Sequence, residues 1–412
     1  MKLIAVHCEE GSTRVALMED GKLQEYYEEG QKDHHIAGNI YIGKVVNVLP
    51  GMQAAFVDIG LKKNAFLYID DVLPAHLEKQ PKVKPPISDL VSEGQELMVQ
   101  VIKEPVGTKG ARITTHYAIP GRWGVYMPYA DYIGISRKID SEAERERLKG
   151  LTAKLLKPGE GFIVRTMAEG ESEEAIAEDL RLLRSVWRTI EKERTSATGT
   201  PRRIYSEMRL IPRLVRDLVN HEVDELVIDH PQARLEIESM LKSVSPEYAN
   251  KVRAHKGQTP LFRELGIEDQ LEKAFHRKVW LDNGAYVIVD RTEALTVFDV
   301  NTGKYTGSVD LGQTVFEVNM AAAEEISRLL RLRDIGGLII IDFIDMDHET
   351  QRQAVVQSLE AHARRDRTKT VIVGWTKLGL VELTRKKVRE SREQLGLVDC
   401  PICQGSGKVR PT

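Results

Sequence analysis

The stretch GLIIIDFIDM, Gly337 to Met346, constrains this chain more than any other. Leu338 to Ile341 form a continuous apolar run, the mark of a buried strand, and Asp342 ends it. A carboxylate at the end of a buried strand is costly unless it is paired or holds a metal. In open α/β sheets, the carboxyl ends of strands are where ligands gather. The run therefore predicts a strand in a sheet-and-helix unit with chemistry at its end. That unit starts near residue 276, where KVWLDNGAYVIVD carries Asn283-Gly284 as a hairpin turn. It goes on through a helix closed by glycine (VFEVNMAAAEEISRLLRLRDIGG), a second helix near 349–366 and the strand TVIVGW.

TVFDVNTG, in the same unit, places Asp299 and Asn301 two apart on a predicted strand, so both face one way. With Asp342, and Asp345 three residues on, this is a set of hard oxygen donors suited to magnesium, which can activate water and stabilise charge on a scissile phosphate. Strand-end aspartates that cap backbone are the alternative, and the residues alone leave both open. Basic residues cluster at Arg328, Arg331 and Arg333, at Arg364, Arg365, Arg367 and Lys369, and at Arg385 to Lys387. Such runs are usually solvated faces; beside a metal site they suit phosphate positioning.

The rest of the chain is organised differently. Residues 1–35 read as β structure with an Asp20-Gly21 hairpin, too little to bury a core alone. Residues 36–117 give five short strands punctuated by glycine, the pattern of a small closed barrel such as an OB-fold. Phe56 and Phe66 flank a basic turn, Lys62-Lys63; they suit either the barrel core or base stacking on its surface. GFIVRT ends on Arg165-Thr166, an arginine fork and a hydroxyl that could grip one terminal phosphate, or an ordinary strand end. The helical pattern ESEEAIAEDLRLLRSVWRTIEKER follows, acidic first and basic later.

Net charge is −3, so a nucleic-acid surface must be local. Three cysteines exclude a disulfide framework and favour a reducing compartment. No run approaches the roughly 20 apolar residues of a membrane span, and a cytoplasmic location is expected. Near the end, CPICQGSG carries Cys400 and Cys403 at C-x-x-C spacing, half of a tetrahedral zinc site; the remaining cysteine, Cys8, lies at the other end of the sequence.

AAFVDIG, NAFLYI, GFIVRT, FDVNTG, LRLRDIGGLIIIDFIDM and CPICQGSG, in this order, resemble the catalytic region of the bacterial ribonuclease E/G family over nearly the whole chain. The resemblance implies an α+β multidomain fold. An inert ribonuclease-H-like domain is split between 1–35 and 212–275, with an OB-fold barrel (36–117) and a 5′-phosphate sensor (118–211) inserted. A deoxyribonuclease-I-like catalytic domain (276–395) and a zinc-link (396–412) follow, without the family's C-terminal small domain or a scaffold tail.

By position, the resemblance implies Asp299 and Asp342 as magnesium ligands and Asn301 as the residue orienting the scissile phosphate. It implies Phe56, Phe66 and Lys109 as contacts to single-stranded RNA, and Gly121, Val125, Arg137, Arg165, Thr166 and Lys369 as the sensor. Lys369 stands where arginine is common and loses the bidentate fork. Cys400 and Cys403 from two chains would share one zinc in a homodimer. The implied activity is endonucleolytic cleavage of single-stranded RNA to 5′-phosphate and 3′-hydroxyl ends. A non-catalytic RNA-binding protein and a structure-specific DNA nuclease are the competing expectations.

Overall fold

The computed structural model describes residues 1–30, 35–73, 84–105, 109–196, 199–305, 310–387 and 401–403. They fall into two compact units. One comprises Met1–Glu28, Val223–Arg234 and Lys251–Thr412; the other comprises Glu29–Glu222 and Leu235–Asn250.

In the first unit, the strands Lys2–Glu9, Ser12–Glu19 and Lys22–Gly30 run antiparallel in sequence order. Asp20 (φ 49°) and Gly21 (φ 78°) make the tight turn between the last two, as a two-residue hairpin with right-handed strand twist requires. The first strand also pairs in parallel with Glu225–Ile228, which pairs with Val252–Ala254, completing a five-stranded sheet. Residues from the N-terminus and from the middle of the chain are thus needed for one sheet. Leu3, Ala5, Ala16 and Met18 share a core with Phe298, Ile339 and Ile341.

A six-stranded sheet forms the rest of that core, in the order Lys278–Trp280, Tyr286–Arg291, Leu295–Asn301, Gly337–Asp342, Val381–Arg385, Thr370–Trp375. The helices Leu311–Leu332 and Glu349–Arg365 supply Val318, Ala322, Ile326, Val355 and Leu359 to the core. Three expectations change here. The GLIIIDFIDM strand is covered on one face only: Ile339 and Ile341 are fully buried, whereas Leu338 is 40% exposed. Both helices bury the same side, so the other carries the site residues. The first helix is closed by Asp334 (φ 52°) and not by a glycine; aspartate tolerates this left-handed position, and Ile335 N–H closes onto Leu330 C=O at 3.0 Å. The hairpin around Asn283-Gly284 spans a longer loop, with Leu281 N–H donating to Ala285 C=O.

In the second unit, Ile40–Leu49, Ala54–Asp58, Ala65–Tyr68, Arg112–Thr114 and Glu96–Lys103 close into a five-stranded barrel through pairing of the first strand with the last. Alternation decides its interior: Val57, Leu67, Val99 and Ile113 point inward and are buried. This closed barrel fits an OB-fold insertion. A four-stranded sheet follows, ordered Ile133–Ile135, Glu160–Val164, Gly124–Pro128, Ile119–Pro120. The amphipathic helix Glu173–Ser196 lies against it through Ile176, Leu180, Leu183 and Trp187.

Candidate active site

Asp299 and Asn301 lie at the end of Leu295–Asn301, and Asp342 ends the neighbouring parallel strand Gly337–Asp342. The register sets Asp299 opposite Asp342, so the two carboxylates project side by side from strands spaced about 4.8 Å apart. Phe298 and Val300 alternate with them and are buried; Asp299 and Asp342 are exposed and Asn301 half-buried. All three therefore share the sheet face left open by the helices. Asp345 is close enough to add its charge. Burial first, then the carboxylates of Asp299 and Asp345, push the Asp342 carboxyl above the usual aspartate range.

A divalent cation bound between these carboxylates would relieve that crowding of like charge. Among the described residues no three His, Cys, Asp or Glu side chains converge into a metal-holding group. The pair thus fits a hard ion that takes one or two carboxylates and fills its remaining positions with water and substrate phosphate, as magnesium does.

The clustered arginines behave differently from the expectation that they position phosphate. Arg328 is bound to Glu325 (2.5 Å) and to the Leu23 carbonyl. Arg333, 2% exposed, donates to the carbonyls of Ala274 and His276. Arg385 is buried between Asp366 (2.7 Å) and Asp334 (2.9 Å). These side chains are spent on holding helix and sheet ends. Arg364, Arg365, Arg367 and Lys369 remain exposed.

On the barrel, Phe56 and Phe66 are direct cross-strand neighbours with ring centroids 5.9 Å apart, edge to face. Both are half-buried on the outer face, where alternation puts them, so neither belongs to the core. Lys109 is exposed on the segment that leads into Arg112–Thr114. Gly110 lets its segment pass against the next strand, since a Cβ there would lie 2.0 Å from the Asn64 carbonyl oxygen. Phe66 N–H then donates to Ala111 C=O at 2.7 Å. Two ring edges on one outer face can take unstacked bases, and an exposed ammonium group can take a phosphate.

At one end of the four-stranded sheet, Arg165 and Thr166 follow Glu160–Val164, Ser136 and Arg137 follow Ile133–Ile135, and Gly121 and Val125 flank the start of Gly124–Pro128. Parallel and antiparallel pairing bring these ends together. The Arg165 guanidinium donates to the Gly121 carbonyl and to Asp217, both at 2.7 Å. Thr166 Oγ1 lies 2.8 Å from Ser136 Oγ. Gly121 is obligatory: a Cβ there would lie 2.5 Å from an Asp179 carboxylate oxygen. Asp179 in turn accepts the backbone N–H groups of Arg122, Trp123 and Gly124. Sequence reasoning missed Asp217 and Asp179; each lies more than 50 positions from its partner, and no local pattern marks it. Lys369 belongs to the first unit, just before Thr370–Trp375.

Of the C-x-x-C pair, Cys400 lies outside the described residues, and Cys403 ends the short turn 401–403, half-buried. Among the described residues, no helix is long and apolar enough to cross a membrane.

Residues 118–388 match the sequence profile described as the Ribonuclease E/G family. Ribonuclease G of Escherichia coli (strain K12) is 45% identical across 99% of this chain and 84% of its own length. Ribonuclease G of Haemophilus influenzae is 44% identical across 97% of this chain and 82% of its own. Ribonuclease E of Nostoc sp. is 40% identical across 91% of this chain and 54% of its own. The chain belongs to the ribonuclease E/G family.

Proposed function

We propose that this chain is a magnesium-dependent endoribonuclease that cuts single-stranded RNA in RNA processing or decay, leaving 5′-phosphate and 3′-hydroxyl ends. The observation that carries this reading is the registered pair Asp299–Asp342, with Asn301, on an open sheet face. The two carboxylates hold the cation. When bound, the cation supplies electrostatic stabilisation of the charge that builds on the scissile phosphate. Asn301 donates its side-chain amide to a phosphate oxygen and fixes the phosphate's orientation. The open face admits an extended strand; on the barrel, Phe56 and Phe66 stack unpaired bases of single-stranded RNA while Lys109 attracts its backbone.

Arg165 and Thr166 grip a 5′-monophosphate, with Gly121, Val125 and Arg137 shaping the pocket and Asp217 aiming the guanidinium. On the same reading, the N-terminal five-stranded sheet is a ribonuclease-H-like domain without catalysis, and the six-stranded sheet is deoxyribonuclease-I-like. Cys400 and Cys403 of two chains share a zinc. The protein works in the cytoplasm.

The deciding measurement is cleavage of a 5′-monophosphorylated single-stranded oligoribonucleotide with and without magnesium, beside a DNA oligonucleotide of the same sequence. The parent cuts the RNA only. Asp299→Asn and Asp342→Asn each lose at least about a hundredfold in kcat while keeping the parent's RNA affinity. Variants that cut like the parent would remove these residues from the site. An inert parent that still binds RNA would leave only the non-catalytic RNA-binding reading.

A further inference from the structure

We propose that Lys278, Trp280 and Tyr286 form a second RNA subsite on the catalytic sheet, where the base of a nucleotide flanking the cut stacks on Trp280 and Lys278 meets its phosphate. This rests on the endoribonuclease reading above.

The strand Lys278–Trp280 is the edge strand beside Tyr286–Arg291. Register places Lys278, Ile288, Asp299 and Asp342 in one row across four strands, and Trp280, Tyr286 and Asn301 in the next row. Both rows lie on the open face, since Val279, Val287 and Val289 take the buried positions between them. Two strand spacings, about 10 Å, separate the backbone of Trp280 from that of Asn301, so the platform adjoins the carboxylate pair.

Trp280 is 51% exposed, whereas Trp123 and Trp187 are 6% and 7% exposed. Its ring meets Tyr286 edge to face with centroids 5.3 Å apart. The Lys278 ammonium lies 4.2 Å from the Trp280 ring centre and 3.7 Å from that of Tyr286. Neighbouring acidic side chains are already engaged: Asp282 by Lys22 at 2.6 Å and Asp290 by Arg277. An indole held by an aromatic neighbour, with a cation beside it, is preorganised for a base and the phosphate attached to it. Continuity with the carboxylate face selects the substrate strand as the occupant over a protein partner.

The test uses the full chain. Intrinsic tryptophan emission is followed during titration with a single-stranded decaribonucleotide in EDTA, for the parent, Trp280→Ala, Trp280→Phe and Lys278→Gln. Cleavage kinetics of the same variants are measured in magnesium. The parent's emission is quenched by RNA, and the quenching disappears in Trp280→Phe. Trp280→Ala binds about tenfold more weakly and raises KM about tenfold at nearly unchanged kcat, and Trp280→Phe restores most of both. Lys278→Gln weakens binding and lowers the salt dependence by about one phosphate contact.

A parent that cleaves RNA while Trp280→Ala matches it in affinity and KM overturns the subsite and leaves the functional reading intact. Emission that follows protein concentration instead of RNA also overturns it, by assigning Trp280 to a protein contact. A parent that binds RNA through Trp280 and does not cut keeps the subsite and refutes the nuclease reading.

Discussion

On the proposed reading Asp342 ligates the cation, and its environment makes a pH signature. Its carboxyl is pushed up by burial and by Asp299 and Asp345, and it must be ionised to ligate a cation. Magnesium affinity therefore falls as pH drops through this raised value, by about one decade per pH unit for one proton. Asp345→Asn removes one of the raising charges and moves that acid limb to lower pH. The half-saturating magnesium concentration measured from pH 5 to 8 tests this, and an unmoved limb in Asp345→Asn would refute it. Stability should respond with the opposite sign. A carboxyl whose folded pKa exceeds its unfolded value favours the fold below both and loses that advantage as pH rises. In EDTA at neutral pH, Asp342→Asn should therefore melt above the parent, with the gap closing in acid.

At the scale of elements, strand ends make the sites. Three strands converge where Arg165, Thr166 and Arg137 gather, and the arginine's aim is fixed from elsewhere by Asp217, itself clamped by Arg216 at 3.0 Å. Asp217 is half-buried, which raises its carboxyl, yet Arg216 and Arg165 hold it below the usual range. Asp217→Asn should lower the cleavage advantage of 5′-monophosphate over 5′-hydroxyl RNA by about tenfold, the worth of a well-placed charged hydrogen bond. Cleavage of the 5′-hydroxyl RNA should stay as in the parent. Since this substitution also loosens a half-buried ion pair, Ser136→Ala is the milder companion: it removes only the hydroxyl beside Thr166. An advantage unchanged in both would take this cluster out of end recognition.

The contrast between what was and was not legible in the sequence follows from range. Asp20-Gly21 announced its turn, and Asp299 and Asn301 announced their shared face, because dihedral and period-two rules act over two residues. The open face of the GLIIIDFIDM strand was hidden, because apolar Leu338 and Ile340 look the same whether or not a helix covers them. Arg333 and Arg385 looked like surface charge because their partners, the carbonyls near 275 and the carboxylates of Asp334 and Asp366, are distant in sequence.

For the whole molecule, the outstanding matter is how many chains make the working unit. The turn 401–403 brings Cys403 to a half-buried position, two thiolates are half of a tetrahedral zinc shell, and Cys8 sits within the N-terminal sheet, its sulfur 3.9 Å from the Thr13 hydroxyl. On the proposed reading, a zinc shared by the Cys400–Cys403 pairs of two chains would complete the shell by symmetry, since a two-fold axis supplies the same pair twice. The purified protein should then be a dimer with one zinc per two chains. Cys400→Ser with Cys403→Ser should lose the metal and run as a monomer by light scattering, and strong chelation of the parent should do the same. The paired carboxylates of Asp299 and Asp342 lie on the six-stranded sheet, whose strands include none of residues 401–403. Cleavage of a short oligonucleotide by the double variant should therefore stay within about threefold of the parent, because its substrate contacts are untouched. A double variant that remains dimeric would move the interface elsewhere, and one that turns monomeric and inert would make the zinc a condition of catalysis instead of a clasp.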